Sequence, residues 1–167
     1  MTNYRRALAF HVRIGDRPPR APIVPDADTL ALRLRLLEEE GREAREALQA
    51  LAELAELATT AAEAPSDETS SNEASSNASP ARLAAEAAAA HELADLLYVA
   101  YGTFVALGVD ADEVFEEVHA ANVRKAGAPR RADGKQFRPE GWRPADVAGV
   151  LARQRRDDRQ GRAMDTL

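Results

Sequence analysis

Two pairs of acidic residues stand out in this sequence, because each pair has the spacing of a single helical face. Glu40 and Glu43 are three residues apart in LLEEEGREARE, and Glu92 and Asp95 are three apart in AHELADLLY. Residues at i and i+3 are neighbours on a helix surface. Both pairs fall among apolar residues, so the pattern directs four carboxylates on two helices towards a core.

Carboxylates gathered in a core need compensation, because each buried ion loses several kcal/mol of hydration. Protonation, basic partners or bound cations could supply it. The first run has no lysine, and its arginines lie mostly off the apolar stripe. Oxygen ligands without cysteine suit a hard ion such as Mg²⁺ or Mn²⁺. The ordinary alternative, a solvated helix face, stays open.

Other metal chemistries fit the sequence less well. HELAD begins like the HExxH zinc motif, but Asp95 occupies the place of the second histidine. A di-iron carboxylate bundle needs ExxH from two helices, and Glu116 with His119 offers only one such pair.

A basic stretch follows late in the chain, although the formal net charge is −6. Its cations are Arg124, Lys125, Arg130, Arg131, Lys135, Arg138 and Arg143. The stretch is either a solvated loop or a phosphate clamp, in which lysine acts as a point charge and arginine as a fork. In the second case Asn122 and Lys125 share a face, and an Asp133-Gly134 turn presents Lys135. Metal-bound carboxylates and a cationic clamp together would suit a polyphosphate ester.

Composition narrows the class of protein. The 167 residues suffice for one domain, and 45% hydrophobic with only 5% aromatic residues favours helices. The negative charge argues against DNA or RNA polymers as partners, and the absence of cysteine excludes disulfides and thiolate sites. The N-terminus has no signal-peptide pattern, and the apolar run at 96–109 is too short to span a membrane. We therefore predict a cytoplasmic protein without a membrane partner.

The elements that must position these residues are all helical. Hydrophobic spacing predicts a short helix within 1–15, long helices at 29–58 and 80–107, a shorter one at 111–126 and a last one at 145–153. A proline-rich connector occupies 16–25, and a structured loop occupies 127–143. We expect one domain at 1–153, with a disordered Ser/Asn-rich insert at 64–79 and a flexible tail at 154–167.

The ordered motifs resemble a known family. The ExxE, ExxD, NVRK and DGK motifs together look like the MazG-like group of all-α NTP pyrophosphohydrolases. The C-terminal run, from HELADLLYVAYG through PRRADGKQ to PEGWRPADV, is similar to bacterial MazG-like dUTP diphosphatases. The resemblance implies a MazG-like helical bundle completed by oligomerisation, as a homodimer with a tetramer left open. It also implies Mg²⁺- or Mn²⁺-dependent hydrolysis between the α and β phosphates, which releases pyrophosphate.

The resemblance also assigns roles to individual residues. Glu40, Glu43, Glu92 and Asp95 would be the metal ligands, and Glu39 and Glu40 the catalytic residues, with Glu39 a further ligand or the group that orients the water. Asn122, Lys125 and Lys135 would hold phosphates or sugar. Tyr98 could pack on the deoxyribose or be a core tyrosine. Phe10 or His11 would reach the base.

The function expected from these residues is a nucleotide diphosphatase that cleans the nucleotide pool. dUTP is the favoured substrate, and other dNTPs or dUDP stay open. The alternatives are a non-catalytic helical oligomerisation module and a di-iron carboxylate protein.

Overall fold

The computed structural model describes residues 1–63 and 80–164. Within these ranges the chain forms helices and no strand, apart from one isolated bridge between Arg130 and Gln136. The helices are α1 Asn3–Arg13, α2 Ala27–Glu63, α3 Pro80–Ala106, α4 Ala111–Val123 and α5 Val147–Met164. The all-α prediction is confirmed. The predicted insert at 64–79 lies outside the described residues.

The helix boundaries differ from the predicted ones mainly at the C-terminal ends. α2 continues to Glu63 rather than ending at 58, and α4 ends at Val123 rather than at 126. The prediction that the last helix ends at 153 was wrong, because α5 continues to Met164. The charged run after 153 consists largely of arginine and glutamine, which are good helix formers. Gln154, predicted to begin the tail, makes several hydrogen bonds.

The described chain divides into two compact units. The terminal unit is Met1–Ala27 with Tyr101–Leu167, and the central unit is Asp28–Ala100. α2 lies in the central unit except for its first residue, and α3 begins there and ends in the terminal unit. The two predicted carboxylate pairs fall in the central unit, whereas the basic stretch falls in the terminal unit.

The terminal unit has two small apolar clusters. One is centred on the buried Tyr4, Val105 and Ala111, and the other on the buried Val109, Val114 and Val150. Phe104 packs against both clusters, so the end of α3 links them. These contacts hold α1, α4 and α5 around the end of α3.

Asp110 fastens three helices of the terminal unit. It is the N-cap of α4, where its Oδ1 accepts from the Asp112 N–H at 3.0 Å. Its Oδ2 accepts from the Arg5 guanidinium of α1 at 2.6 Å. Its backbone N–H and C=O both bond to the Gln154 amide of α5, at 3.1 Å each. One turn thereby sets the relative positions of α1, α4 and α5.

The turn after α3 requires a glycine. Gly108 has a φ of +65°, a region that side chains rarely adopt. A Cβ there would collide with the Ala21 carbonyl oxygen and lie 2.8 Å from Pro19 Cβ. The proline-rich connector therefore passes directly over this turn. The Ile23 N–H donating to the Leu107 carbonyl at 3.0 Å holds it there.

The central unit buries little apolar surface. Among its described side chains only Ala44 and Ala89 are fully buried, each 3% exposed. Leucines of both helices stay exposed, including Leu34 at 60% and Leu97 at 55%. Leu97 belongs to the apolar second half of α3, and it stays exposed because the central unit has few helices to cover it. Among the described residues, no single helix is long and apolar enough to cross a membrane. Only α3 and α4 taken together have the length and composition of a membrane span, and the two helices are bent by 114°.

Candidate functional site

Three carboxylates converge where α2 and α3 pass each other. One oxygen each from Glu40, Glu43 and Glu92 lies within 4.8 Å of the other two, and all three residues are half-buried. In the described part of the chain, no other group of three or more histidine or acidic residues could hold a metal in this way. The structure therefore brings together three of the four predicted metal ligands. We call this set the acidic group.

The surroundings of Glu40 disfavour its negative charge. Partial burial, and after it the charges of Glu43, Asp95, Glu39 and Glu92, raises the pKa of Glu40. A bound divalent cation would relieve this repulsion. The donors of the acidic group are all oxygens, which suit Mg²⁺ or Mn²⁺. The residues present thus fit the metal that the sequence predicted.

The fourth predicted ligand stands slightly apart. The charge of Asp95 acts on Glu40, but Asp95 is not within the 4.8 Å group. Its Oδ2 lies 3.3 Å from Nε2 of His91, one turn earlier on the same helix. Glu43 likewise has a partner, since its Oε1 accepts from Arg42 at 2.9 Å. Both pairs are partly exposed and therefore weak, so a cation could displace them.

The remaining predicted residues lie at different places. Glu39 is exposed beside the acidic group, and Tyr98 lies on α3 one turn after Asp95, 41% exposed. Phe10 lies in the terminal unit, 44% exposed, with its ring edge-on to His11 at 5.8 Å. His11 is buried, and its Nδ1 is 2.6 Å from Asp16 Oδ2. The roles of Tyr98, Phe10 and His11 towards a nucleotide stay predictions.

The basic stretch forms a cavity in the terminal unit, of about 720 Å³. All three residues predicted to hold phosphates or sugar line it: Asn122, Lys125 and Lys135. The other lining residues are Arg131, Gln136, Phe137 and Arg138. We call it the cationic cavity, because four of its seven lining side chains are lysine or arginine.

The loop of the cationic cavity is held by its own backbone. As predicted, Asp133 and Gly134 make the turn that presents Lys135. The Arg131 N–H donates to the Lys135 carbonyl at 2.7 Å, and the Lys135 N–H donates to Asp133 Oδ1 at 3.1 Å. Gly134 has a φ of +79°. On the other wall, Lys125 Nζ donates to Asn122 Oδ1 at 2.9 Å.

Sequence reasoning missed three residues around this cavity, Gln136, Phe137 and Trp142, and it noted Arg131 and Arg138 only as members of the basic stretch. Phe137 is 52% exposed at the cavity, and Trp142 contacts two of the cations nearby. The signal that could have found the two aromatic residues is that each directly precedes an arginine, Phe137 before Arg138 and Trp142 before Arg143.

A family comparison identifies the group to which this fold belongs. Residues 7–122, more than half of the chain, match the model of the family described as phosphoribosyl-ATP pyrophosphohydrolase. The chain belongs to the phosphoribosyl-ATP pyrophosphohydrolase family. The family is part of the MazG-like all-α NTP pyrophosphohydrolases, so the resemblance seen in the motifs is confirmed at that level. A search of curated proteins finds no match.

Membership of the phosphoribosyl-ATP pyrophosphohydrolase family supports the predicted class, a hydrolase acting on nucleotide pyrophosphate bonds. MazG-like pyrophosphohydrolases typically use divalent metal ions, in keeping with the acidic group. The matched residues include the whole acidic group and end at Asn122. Lys125, Lys135 and the rest of the cationic cavity lie beyond the match.

Proposed function

We propose that this chain is a divalent-cation-dependent nucleotide pyrophosphohydrolase, which cleaves between the α and β phosphates and releases pyrophosphate. The observation that carries the proposal is the acidic group, because Glu40, Glu43 and Glu92 place like charges together on two helices. Such an arrangement is unfavourable by itself and becomes favourable around a cation. It also lies inside the residues that match a pyrophosphohydrolase family.

The metal-binding role falls to Glu40, Glu43, Glu92 and Asp95. A bound Mg²⁺ or Mn²⁺ would neutralise phosphate oxygens and activate a water as nucleophile. Glu39, exposed beside the group, would accept a proton from the attacking water or orient it. The contacts of Glu43 with Arg42 and of Asp95 with His91 would break when the ion binds.

The phosphate-binding role falls to the cationic cavity. Lys125 and Lys135 supply point charges, and Arg131 and Arg138 supply fork-shaped donors. The Asn122 amide keeps Lys125 in place through the hydrogen bond at 2.9 Å. A chain of phosphates is the ligand that uses several such cations at once.

For the substrate, we propose dUTP, with other dNTPs or dUDP as further substrates, in cleaning of the cytoplasmic nucleotide pool. What supports dUTP is the likeness of the C-terminal run to MazG-like dUTP diphosphatases, since much of that run lies beyond the family match at 7–122. Tyr98 would crowd a 2′-hydroxyl, and Phe10 or His11 would contact the base. Phosphoribosyl-ATP is the second candidate, and the description of the matching family favours it. It would place the chain in histidine biosynthesis.

Both the proposed reaction and the proposed substrate can be tested by measuring pyrophosphate release with Mg²⁺ or Mn²⁺. The substrates to compare are a panel of dNTPs, dUDP and phosphoribosyl-ATP. Glu43→Gln should lose more than about 100-fold in activity, as a metal ligand should. Glu46→Gln is the matched control, because Glu46 bonds to the same Arg42 but lies outside the acidic group. Equal activity of wild type and Glu43→Gln would refute the metal role. The preferred substrate decides between the two candidates.

For the assembly we propose a homodimer, with a tetramer as a further step. The exposed leucines of α2 and α3 support it, since the central unit buries only two alanines among its described side chains.

The first alternative function, a non-catalytic oligomerisation module, predicts that divalent ions leave the melting temperature unchanged. The di-iron alternative is disfavoured, because His119 is exposed, stacks on Phe115, and joins no ligand group among the described residues.

A further inference from the structure

Trp142, the one tryptophan of the chain, lies against two cations of the cationic cavity. Its ring centroid is 4.8 Å from Lys125 Nζ and 4.8 Å from the guanidinium carbon of Arg138. Among aromatic rings, indole attracts cations most strongly. One ring thus touches a cation from α4's end and another from the following loop.

Trp142 is held in place by two hydrogen bonds, one from its indole ring and one from its backbone. Its Nε1 donates to the carbonyl of Ala121 at 2.9 Å, and Ala121 is buried. Its backbone N–H donates to the Pro139 carbonyl at 3.1 Å, next to Arg138 in the loop. The ring therefore has a defined position relative to both cations.

We propose that Trp142 is the positioning residue of the cationic cavity, holding Lys125 and Arg138 ready for the phosphate chain of a nucleotide. The proposal rests on the proposed function for the nature of that ligand. The positioning role goes beyond the proposed function, because Trp142 lies outside the family match at 7–122 and is not among the predicted site residues. Long cationic side chains lose rotamer freedom when they bind phosphate, and a ring that orders them beforehand reduces this cost.

The wild-type protein supplies the first test, since all tryptophan emission comes from Trp142. Titration with inorganic pyrophosphate should give a saturable change in emission, because the anion rearranges the two cations on the ring. Lys125→Met and Arg138→Met should each weaken the response about tenfold. Arg13→Met is the matched control, since Arg13 is exposed on α1 and does not line the cavity. Unchanged emission while calorimetry detects pyrophosphate binding would overturn the proposal.

Steady-state kinetics supply the second test. Trp142→Leu should raise KM about tenfold and leave kcat within about twofold, because ordering of the cations helps substrate and transition state alike. Trp142→Phe keeps an aromatic face and should recover part of the loss. Phe115→Leu, which removes an exposed aromatic stacked on His119, should behave as wild type. An unchanged KM in Trp142→Leu, or in Trp142→Phe if the leucine variant does not fold, contradicts the role.

The two proposals fail in different ways. A chain that hydrolyses no nucleotide, but whose Trp142 emission follows pyrophosphate, supports the positioning role and refutes the proposed function. An active enzyme with constant emission and an unchanged KM in the Trp142 variants refutes the positioning role alone.

Discussion

Glu43 on α2 and Glu92 on α3 bring carboxylate oxygens within 4.8 Å of each other, and Glu40 completes the group. The two residues are far apart in sequence, and both belong to the central unit. Three half-buried carboxylates in such a space repel one another unless a cation or protons intervene. The stability of the central unit should therefore depend on pH and on divalent ions.

Glu40→Gln should change how stability depends on pH when no divalent ion is present. Since the folded protein raises the pKa of Glu40, the folded state binds its proton more tightly than the unfolded state. The protonated Glu40 therefore contributes to the stability of the folded wild type. This contribution is complete below the pKa of Glu40 in the unfolded state and is lost as pH rises through its pKa in the folded state. The stability of Glu40→Gln relative to wild type should thus increase as pH rises from below the ordinary pKa of a glutamate carboxyl. Denaturant unfolding at several pH values measures this, with the exposed Glu53→Gln as control, and the same pH dependence in both variants would refute it.

Gly108→Ala should destabilise the chain by about 2 kcal/mol or more, because a Cβ adds a collision with the connector to an unfavourable φ. Gly127→Ala is the matched control. Gly127 has a φ of +87° but no atom within 4 Å of an added Cβ, so about 1 kcal/mol is expected. Urea denaturation of both variants checks the difference. Equal losses would mean that the connector does not press on Gly108.

Asp110→Ala should cost about 1 to 2 kcal/mol, the sum of a lost N-cap and a lost ion pair with Arg5. Asp110→Asn should restore most of this, because asparagine caps helices about as well as aspartate. Thermal melts of the two variants measure the cap separately from the charge. If asparagine is as harmful as alanine, the charge pair rather than the cap holds α4.

Leu97→Glu should shift the protein from dimer towards monomer, by about tenfold or more in dissociation constant. The reason is that, in the proposed homodimer, this exposed apolar side chain of α3 would be buried against the second copy and contribute roughly 1.5 to 3 kcal/mol. Val123→Glu is the control, since Val123 is 54% exposed on α4 in the terminal unit. Light scattering across a concentration series reads the mass. A monomeric wild type, or a Leu97→Glu that stays dimeric, contradicts an interface at Leu97.

The helices could be predicted from the sequence, and so could the pairing of carboxylates within one helix, because both depend on local spacing. The i, i+3 pattern placed Glu40 with Glu43, and apolar context directed them inwards. It could not show that Asp95 would turn to His91 while Glu92 joined the group, since this depends on the packing of α2 against α3.

Contacts between distant residues were equally invisible to sequence patterns. The ring of Trp142 meets Lys125 only because the loop after α4 folds back and its Nε1 bonds to Ala121. The end of α5 was misjudged for a related reason. A charged run looks frayed by composition, yet Gln154 anchors it through the backbone of Asp110.

Mn²⁺ binding to the purified protein, followed by the loss of the free-ion electron paramagnetic resonance signal, tests the central claim most directly. We expect saturable binding to wild type and to Glu46→Gln, and at least about tenfold weaker binding to Glu43→Gln and Glu92→Gln. Binding that is equally strong in Glu43→Gln and Glu92→Gln, or absent from the wild type, would contradict a metal site built from the acidic group.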